Sequence, residues 1–182
     1  HGTEYALDLA EVMFSPGNEA ERVRMGEYVE QGERVLDMFA GIGYFTLPMA
    51  RAGAEVTAVE RNPTAFRYLV ENTKRNGVDE LVHPYRADCR AVVSTGIDPV
   101  DRVVMGYYES WTYLDSALDA LASGGTLHMH ETTPEKLVFE RPIKRLEDAA
   151  TDAGRSVELL DRRRVKSHSE GVAHVVVDAR VE

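Results

Sequence analysis

Two acidic residues and two glycines define the chemistry this chain can do. In Val35-Leu36-Asp37-Met38-Phe39-Ala40-Gly41-Ile42-Gly43-Tyr44-Phe45 an apolar run is interrupted by Asp37 and followed by Gly41 and Gly43, directly before sequence that favours helix. This reads as a strand feeding a tight turn, in which missing Cβ atoms let the backbone approach a ligand. Seventeen residues past Gly43, Glu60 ends a second apolar run, Val56-Thr57-Ala58-Val59. An acid at that distance can accept both hydroxyls of a ribose. Three residues after Gly43, where a dinucleotide-binding turn has its third glycine to seat a pyrophosphate, stands Thr46. The pattern therefore points to an adenosine without a pyrophosphate.

Other reactive side chains fall where such a chain would turn. Asp88 follows a third apolar run, where a carboxylate can accept an adenine amino group or, equally, cap a helix. A fourth run leads into Met105-Gly106-Tyr107-Tyr108-Glu109-Ser110-Trp111. The aromatic residues Tyr107, Tyr108 and Trp111 offer faces on which bases stack, core packing being the plainer use of Trp111. Arg141, Lys144 and Arg145, and the run Arg162-Arg163-Arg164 with Lys166, are candidates for phosphate contacts. Strand alternation would send Arg163 to the opposite face from its two neighbours. His128 and His130 would share a strand face, but no third ligand stands nearby, so no metal is expected. No side chain announces itself as a nucleophile. His130 and Glu131 are the candidates for a general base.

Alternating strands and helices would position these groups. Strands are expected near residues 34–39, 55–60, 82–86, 101–105 and 126–130, and a closing hairpin at 156–166 and 172–181, seven strands in all. Asn62-Pro63 supplies an N-cap and a first-turn proline for a helix that Asn76-Gly77 ends; further helices are expected after Gly43, at 112–122 and at 138–153. Upstream, residues 5–9 alternate as an edge strand would. Pro16-Gly17 is turn chemistry, and Asn18 with Glu21 has the form of a capping box starting a helix whose apolar stripe is Val23, Met25, Tyr28 and Val29. Arg22 then lies near that helix's N-terminal end, either solvated or, with Ser15, facing the ligand.

The chain has 182 residues, enough for one α/β domain with a full core. Its single cysteine excludes an internal disulfide, and no apolar run approaches a membrane span or a signal-peptide core, so a reducing cytoplasm is the expectation. The net charge of −10, from 31 acidic against 21 basic residues, argues against a polyanionic partner. A halophilic source offers a different explanation, because concentrated salt screens charge within a few ångströms. Local clusters then matter more than the net charge.

The D-x-F-x-G-x-G spacing from Asp37 to Gly43 resembles motif I of the class I S-adenosylmethionine (SAM) enzymes. That resemblance implies a doubly wound Rossmann-like α/β fold, a mostly parallel seven-stranded sheet ending in an antiparallel hairpin. Phe14-Ser15-Pro16-Gly17-Asn18 with Glu21-Arg22-Val23-Arg24, and Val59-Glu60-Arg61-Asn62-Pro63, narrow it to tRNA enzymes acting on the purine beside the anticodon. The guanine methyltransferases of that group carry Asn-Leu-Pro where this chain has Met105-Gly106-Tyr107. That feature, with the stretch His128 to Lys136, resembles the archaeal tRNA wybutosine-synthesising protein 2 family. Members of that family transfer the 3-amino-3-carboxypropyl group of SAM to 4-demethylwyosine in phenylalanine tRNA. The resemblance implies donor contacts from Ser15, Arg22, Asp37, Phe39, Ala40, Gly41, Gly43, Glu60, Arg61, Asn62, Asp88, Cys89, Met105 and Gly106. It implies tRNA as partner, for which Tyr107, Tyr108, Trp111, Arg141, Lys144 and Arg145 are the expected substrate contacts on the grounds given above; a monomer without metal is expected. Residues 1–30 are expected as a strand and helix packing on a catalytic domain of residues 31–182, with a further N-terminal domain missing. Methyl transfer to the tRNA guanine and a non-catalytic SAM- or tRNA-binding module are the alternatives.

Overall fold

Three of the apolar runs become parallel neighbours. In the computed structural model, which describes residues 2–8, 10, 12 and 18–182, the chain forms two compact units, His1–Thr95 and Gly96–Glu182. In the first unit β1 (Arg34–Asp37), β2 (Glu55–Val59) and β3 (Val82–Tyr85) lie in the order β3-β2-β1. The register places Val35 beside Val56 and Val56 beside Val82. Val35, Leu36, Val56 and Ala58 are at most 1% exposed, as strands covered on both faces require.

Helices α1 (Glu19–Tyr28), α2 (Thr46–Arg51), α3 (Pro63–Arg75) and α4 (Cys89–Ser94) complete this unit. The start of α3 is written locally: the Asn62 carboxamide accepts from the amides of Thr64 and Ala65, and Pro63 occupies the first helical position. Its buried face is Ala65, Leu69, Asn72 and Thr73, the spacing of one helical stripe. Helix α1 begins where Asn18 was expected to cap it, yet Asn18 makes no side-chain cap bond, so the capping box is not formed. Of the expected α1 stripe, Met25 is fully buried whereas Tyr28 is 36% exposed.

The edge strand expected at residues 5–9 is absent among the described residues, and Leu9 lies outside them. Side-chain amides take the place of a neighbouring strand. The Glu4 amide donates to Asn76 Oδ1 and Asn76 Nδ2 donates back to the Glu4 carbonyl, at 2.9 and 2.7 Å. Asn72 does the same for Ala6 at 2.7 and 3.1 Å.

The second unit holds β4 (Val100–Met105), β5 (Leu121–Pro134), β6 (Val157–Ser169) and β7 (Val172–Val181) in the order β4-β5-β7-β6. β4 and β5 are parallel, and both pairings of β7 are antiparallel, so the expected terminal hairpin is present. Strand β5 is longer than expected. It starts at Leu121, shifts register between the partners Val100 and Arg102 to absorb the Ser123-Gly124-Gly125 segment, and runs on to Pro134 opposite Val172. A 3-10 turn (Ser110–Tyr113) leads into α5 (Leu114–Ala120), and α6 (Glu140–Asp152) follows β5. With the described strands numbering seven, parallel in the first unit and closing on a hairpin in the second, the α/β expectation holds.

Arg155 ties the lower end of this unit together. Its Nη1 donates to the carbonyls of Leu118 and Leu121 at 2.6 and 2.9 Å, and its Nη2 to those of Ala122 and Val181 at 3.0 and 3.1 Å. These are carbonyls left over at the end of α5 and the margin of β7, and a planar fork with five donors suits them. Replacing Arg155 by Met is expected to lower stability by about 2–4 kcal/mol, since several charged hydrogen bonds go at once. Urea unfolding of the variant checks this; a midpoint equal to the parent's would show that water replaces the guanidinium without cost.

Candidate functional site

Asp37 closes β1 completely buried. Its Oδ2 accepts from the Thr46 hydroxyl at 2.7 Å, and its Oδ1 from the Phe39 amide at 3.3 Å. Burial raises its pKa to about 6, against the two hydrogen bonds that lower it. It therefore staples the turn between β1 and α2. Within that turn Ala40 N donates to Val59 O at 2.9 Å and Gly43 N to Ala40 O at 2.8 Å, which curls the backbone over the end of β2. Gly43 has φ +98°, and a Cβ there would sit 2.9 Å from Leu47 Cγ. Gly41 has φ +56° and open space on its Cβ side. A ligand can use that space.

Glu60 reaches the same turn from the end of β2. One carboxylate oxygen accepts from the Gly41 amide at 2.9 Å and the other from the Asn62 amide at 2.6 Å. Each oxygen keeps a free lone pair, so the two fixed oxygens fit the vicinal hydroxyls of a ribose. Asn62 caps α3 while Arg61 is exposed beside it. Asp88 turns out to be a helix cap: it accepts from Arg90 N at 3.0 Å and pairs with the Arg90 guanidinium at 2.8 Å, which holds its pKa down. Cys89 opens α4 buried, its thiol pushed up to about 11 by desolvation first and by Asp88 next.

Arg22 lies over Tyr44, the residue after Gly43, with its Cζ 4.7 Å from the ring centroid; the Tyr5 ring is 5.6 Å away. The Tyr5 hydroxyl donates to Tyr44 O at 3.1 Å. Arg22 is thus held against the glycine turn by two aromatic faces. Ser15 lies outside the described residues.

The second unit carries the other expected residues. Met105 is buried at the end of β4, and Gly106 begins the loop beyond it. Tyr108 packs edge-on against His168 and His174, at 4.8 and 5.0 Å between centroids, and the Tyr107 hydroxyl donates to Glu109 at 3.1 Å. Trp111, in the 3-10 turn, is 38% exposed. Arg141 and Arg145 both bond Glu131 Oε1, at 2.9 and 2.6 Å, while Lys144 pairs with Asp148 at 2.8 Å. Arg162 lies 5.3 Å from the Phe139 ring centroid, Arg164 pairs with Glu135, and Arg163 turns to the opposite face to meet Asp178, as alternation requires.

His130 and Glu131, the candidates for a general base, are at most 1% exposed. Glu131 anchors the two arginines of α6. His130 Nδ1 lies 3.0 Å from His174 Nε2, and burial, then His174, lowers its pKa far below the ordinary histidine value. No general base is assigned to either. His128 belongs to a polar ladder between β5 and β7: Arg102 Nη1 is 2.5 Å from its Nε2 and Asp178 Oδ1 is 2.6 Å from its Nδ1. A guanidinium only donates, so Nε2 accepts and Nδ1 carries the proton given to Asp178. Burial raises the Asp178 pKa, but hydrogen bonds from His128 and Arg163 outweigh it and bring the carboxyl to about 2. Sequence reasoning missed Asp178, His174, Arg102 and Asn72. The available signal was a polar side chain inside an apolar run, as at His174 and Asp178 within Val172–Val181. Among the described residues no group of three or more His, Cys, Asp or Glu is arranged to hold a metal, and no helix is long and apolar enough to cross a membrane.

The buried histidines carry a pH consequence. Burial first, then Lys166 and His168, lower the His174 pKa from 6.5 to about 4. Between those values the unfolded chain takes up a proton that the folded chain refuses, so stability falls as pH drops through that window. Moving from pH 7 to pH 5 is expected to cost about 2 kcal/mol at His174. Denaturant titrations at the two pH values test this: the difference should shrink in His174→Leu, and an unchanged difference rejects the assignment.

Residues 1–160 match the family described as the TRM5/TYW2 methyltransferase domain. A curated relative from Methanocaldococcus jannaschii, named tRNA(Phe) (4-demethylwyosine(37)-C(7)) aminocarboxypropyltransferase, is 43% identical over 100% of this chain and 73% of its own length. The crystal structure of M. jannaschii TYW2 in complex with AdoMet aligns with a TM-score of 0.87 at 42% identity, covering 98% of this chain and 81% of that one. P. horikoshii TYW2 in complex with MeSAdo aligns with a TM-score of 0.92 at 38% identity, covering 99% and 68%. With the glycine turn after β1 and Glu60 at the end of β2 in a chain whose family match spans most of its length, the chain belongs to the TRM5/TYW2 methyltransferase domain family.

Proposed function

We propose that this chain transfers the 3-amino-3-carboxypropyl group of SAM to carbon 7 of 4-demethylwyosine at position 37 of phenylalanine tRNA. The observation that carries the reading is the Gly41–Glu60 cradle, standing in a chain 43% identical along its length to a relative named for this reaction. Glu60 holds the ribose, and Gly41 leaves room for the nucleoside. Asp37 keeps the turn rigid from behind.

A sulfonium is an activated leaving group, so alignment can supply much of the rate, about 7–11 kcal/mol in the best cases. The base carbon attacks the γ-carbon of the methionine arm, the carbon–sulfur bond breaks with its electrons going to sulfur, and the base then loses its proton. Methylthioadenosine is left. The relative from P. horikoshii has been crystallised with that thioether. Arg22, held against the glycine turn by Tyr44, and Ser15 orient the methionine arm so that its γ-carbon, not the methyl group, faces the base. Met105-Gly106-Tyr107 in place of Asn-Leu-Pro supports the same choice. The enzyme acts on tRNA in the cytoplasm as a monomer, and its acidic, lysine-poor surface suits a halophilic source.

Two measurements test this. Calorimetry of Glu60→Ala should show SAM binding weakened about tenfold or more, the loss of one bidentate contact worth 1.5–3 kcal/mol; parent-like affinity in a folded variant removes Glu60 from the site. Chromatography of the cofactor spent on precursor tRNA should show methylthioadenosine. S-adenosylhomocysteine would instead mean methyl transfer to the base, and unspent SAM with bound tRNA would mean a binding module.

A further inference from the structure

Glu131, Arg141, Arg145 and Trp111 form a cluster that the transfer chemistry does not use. The Arg145 guanidinium lies 3.8 Å from the centroid of the Trp111 ring. It covers one face of the indole, and the side chain is nonetheless 38% exposed. Both arginines converge on one oxygen of Glu131, and the other oxygen is buried without a hydrogen-bond partner. Arg141 also donates to the Thr132 carbonyl at 2.7 Å, which fixes its plane.

The charges do not cancel. Two guanidiniums share one carboxylate, which leaves one positive charge at a surface whose chain carries −10 overall. Burying Glu131 at 0% exposure is costly, and its pKa is raised accordingly against the pull of both arginines. What the arrangement secures is a rigid pair of partly exposed cations beside a rigid aromatic plane. The cluster sits beyond the C-terminal end of β4 and against the C-terminal half of β5, the edge where ligands enter folds of this class. The other aromatic and basic candidates nearby are engaged: Tyr108 between two histidines, Lys144 with Asp148.

We propose that Trp111, Arg141 and Arg145 form a subsite for one unpaired nucleotide of the RNA substrate, flanking the nucleotide that reacts. The base stacks on the exposed part of the Trp111 ring, and its phosphate meets the two guanidiniums. This rests on the tRNA reading above and adds which residues grip the loop and how. Stacking suits an unpaired base because it needs only a π-face, and the surplus charge selects nucleic acid over an uncharged aromatic ligand.

Trp111 is the chain's sole tryptophan, so its emission reports this subsite alone. Titration with an RNA hairpin carrying the anticodon loop of phenylalanine tRNA should quench that emission saturably. By anisotropy of the labelled hairpin, Trp111→Ala should bind roughly tenfold more weakly. Trp111→Phe should keep most of the affinity, whereas Arg145→Gln should lower both the affinity and the salt dependence. SAM affinity should not change in any of them. RNA binding without quenching, or Trp111→Ala binding as the parent does, overturns the subsite and leaves the transfer reaction intact. Failure of the transfer reaction itself is read separately, from the spent cofactor.

Discussion

The burial of one carboxylate at the end of β1 is what the turn between Gly41 and Glu60 depends on. Asp37 accepts from the amide of Phe39, two residues on, and from the hydroxyl of Thr46, which opens α2, so it fixes both ends of the intervening turn. With its ends fixed the turn must close within a few residues, and it can do so only with left-handed backbone at Gly41 and Gly43. Glu60 then needs no long reach: the Gly41 amide is presented to it. The two acids differ in environment and so in duty. The buried one, with its pKa raised to about 6, holds backbone, and the partly exposed one keeps acceptor capacity for a ligand.

The second unit meets a different constraint. Its central strands are buried on both faces, but β5 and β7 carry His128, His130, Glu131, His174 and Asp178. The fold accommodates the histidines and Asp178 by pairing across the ladder, and Glu131 through the two arginines of α6. His128 stands directly opposite Asp178, and His130 is diagonal to His174. Arg102 and Arg163 close the ends of the His128–Asp178 pair. A pair of strands joined this way has a single register, because a slip of one residue would part His128 from Asp178 and His130 from His174.

How much of this was readable in the residues depends on whether the cause is local. Asn62-Pro63 and Gly43 state their roles within a few positions and the structure agrees, and the closing hairpin forms as expected although β6 runs three residues beyond 166, to Ser169. Residues 5–9 alternate like a strand, yet Asn72 and Asn76, some 70 positions later, supply the partners that a strand would have supplied. No local pattern contains that. Asp88 was readable as ligand contact or cap, and the cap is formed, its carboxylate accepting from Arg90 N. The length of β5 was missed because Glu131-Thr132-Thr133-Pro134 reads as loop; β7 alongside makes it strand. The contact between the glycine turn and Glu60 was legible because glycine spacing and the position of an acid are sequence properties. The ion pairing that engages Arg141, Lys144 and Arg145 was not, because a basic run does not announce its partners.

Asn72 shows how little freedom such a junction leaves to evolution. Its oxygen accepts from Ala6 N, and its amide nitrogen donates to the carbonyls of Ala6 and Ile42. The side chain is completely buried. Aspartate would offer no donor, leucine neither donor nor acceptor, and glutamine the right groups on a stem one methylene too long. A lineage that changes this position must also find another way to hold the segment around Ala6 and the carbonyl inside the glycine turn. Asn72 is therefore expected to vary as little among descendants of this sequence as the glycines themselves, for reasons of backbone support alone.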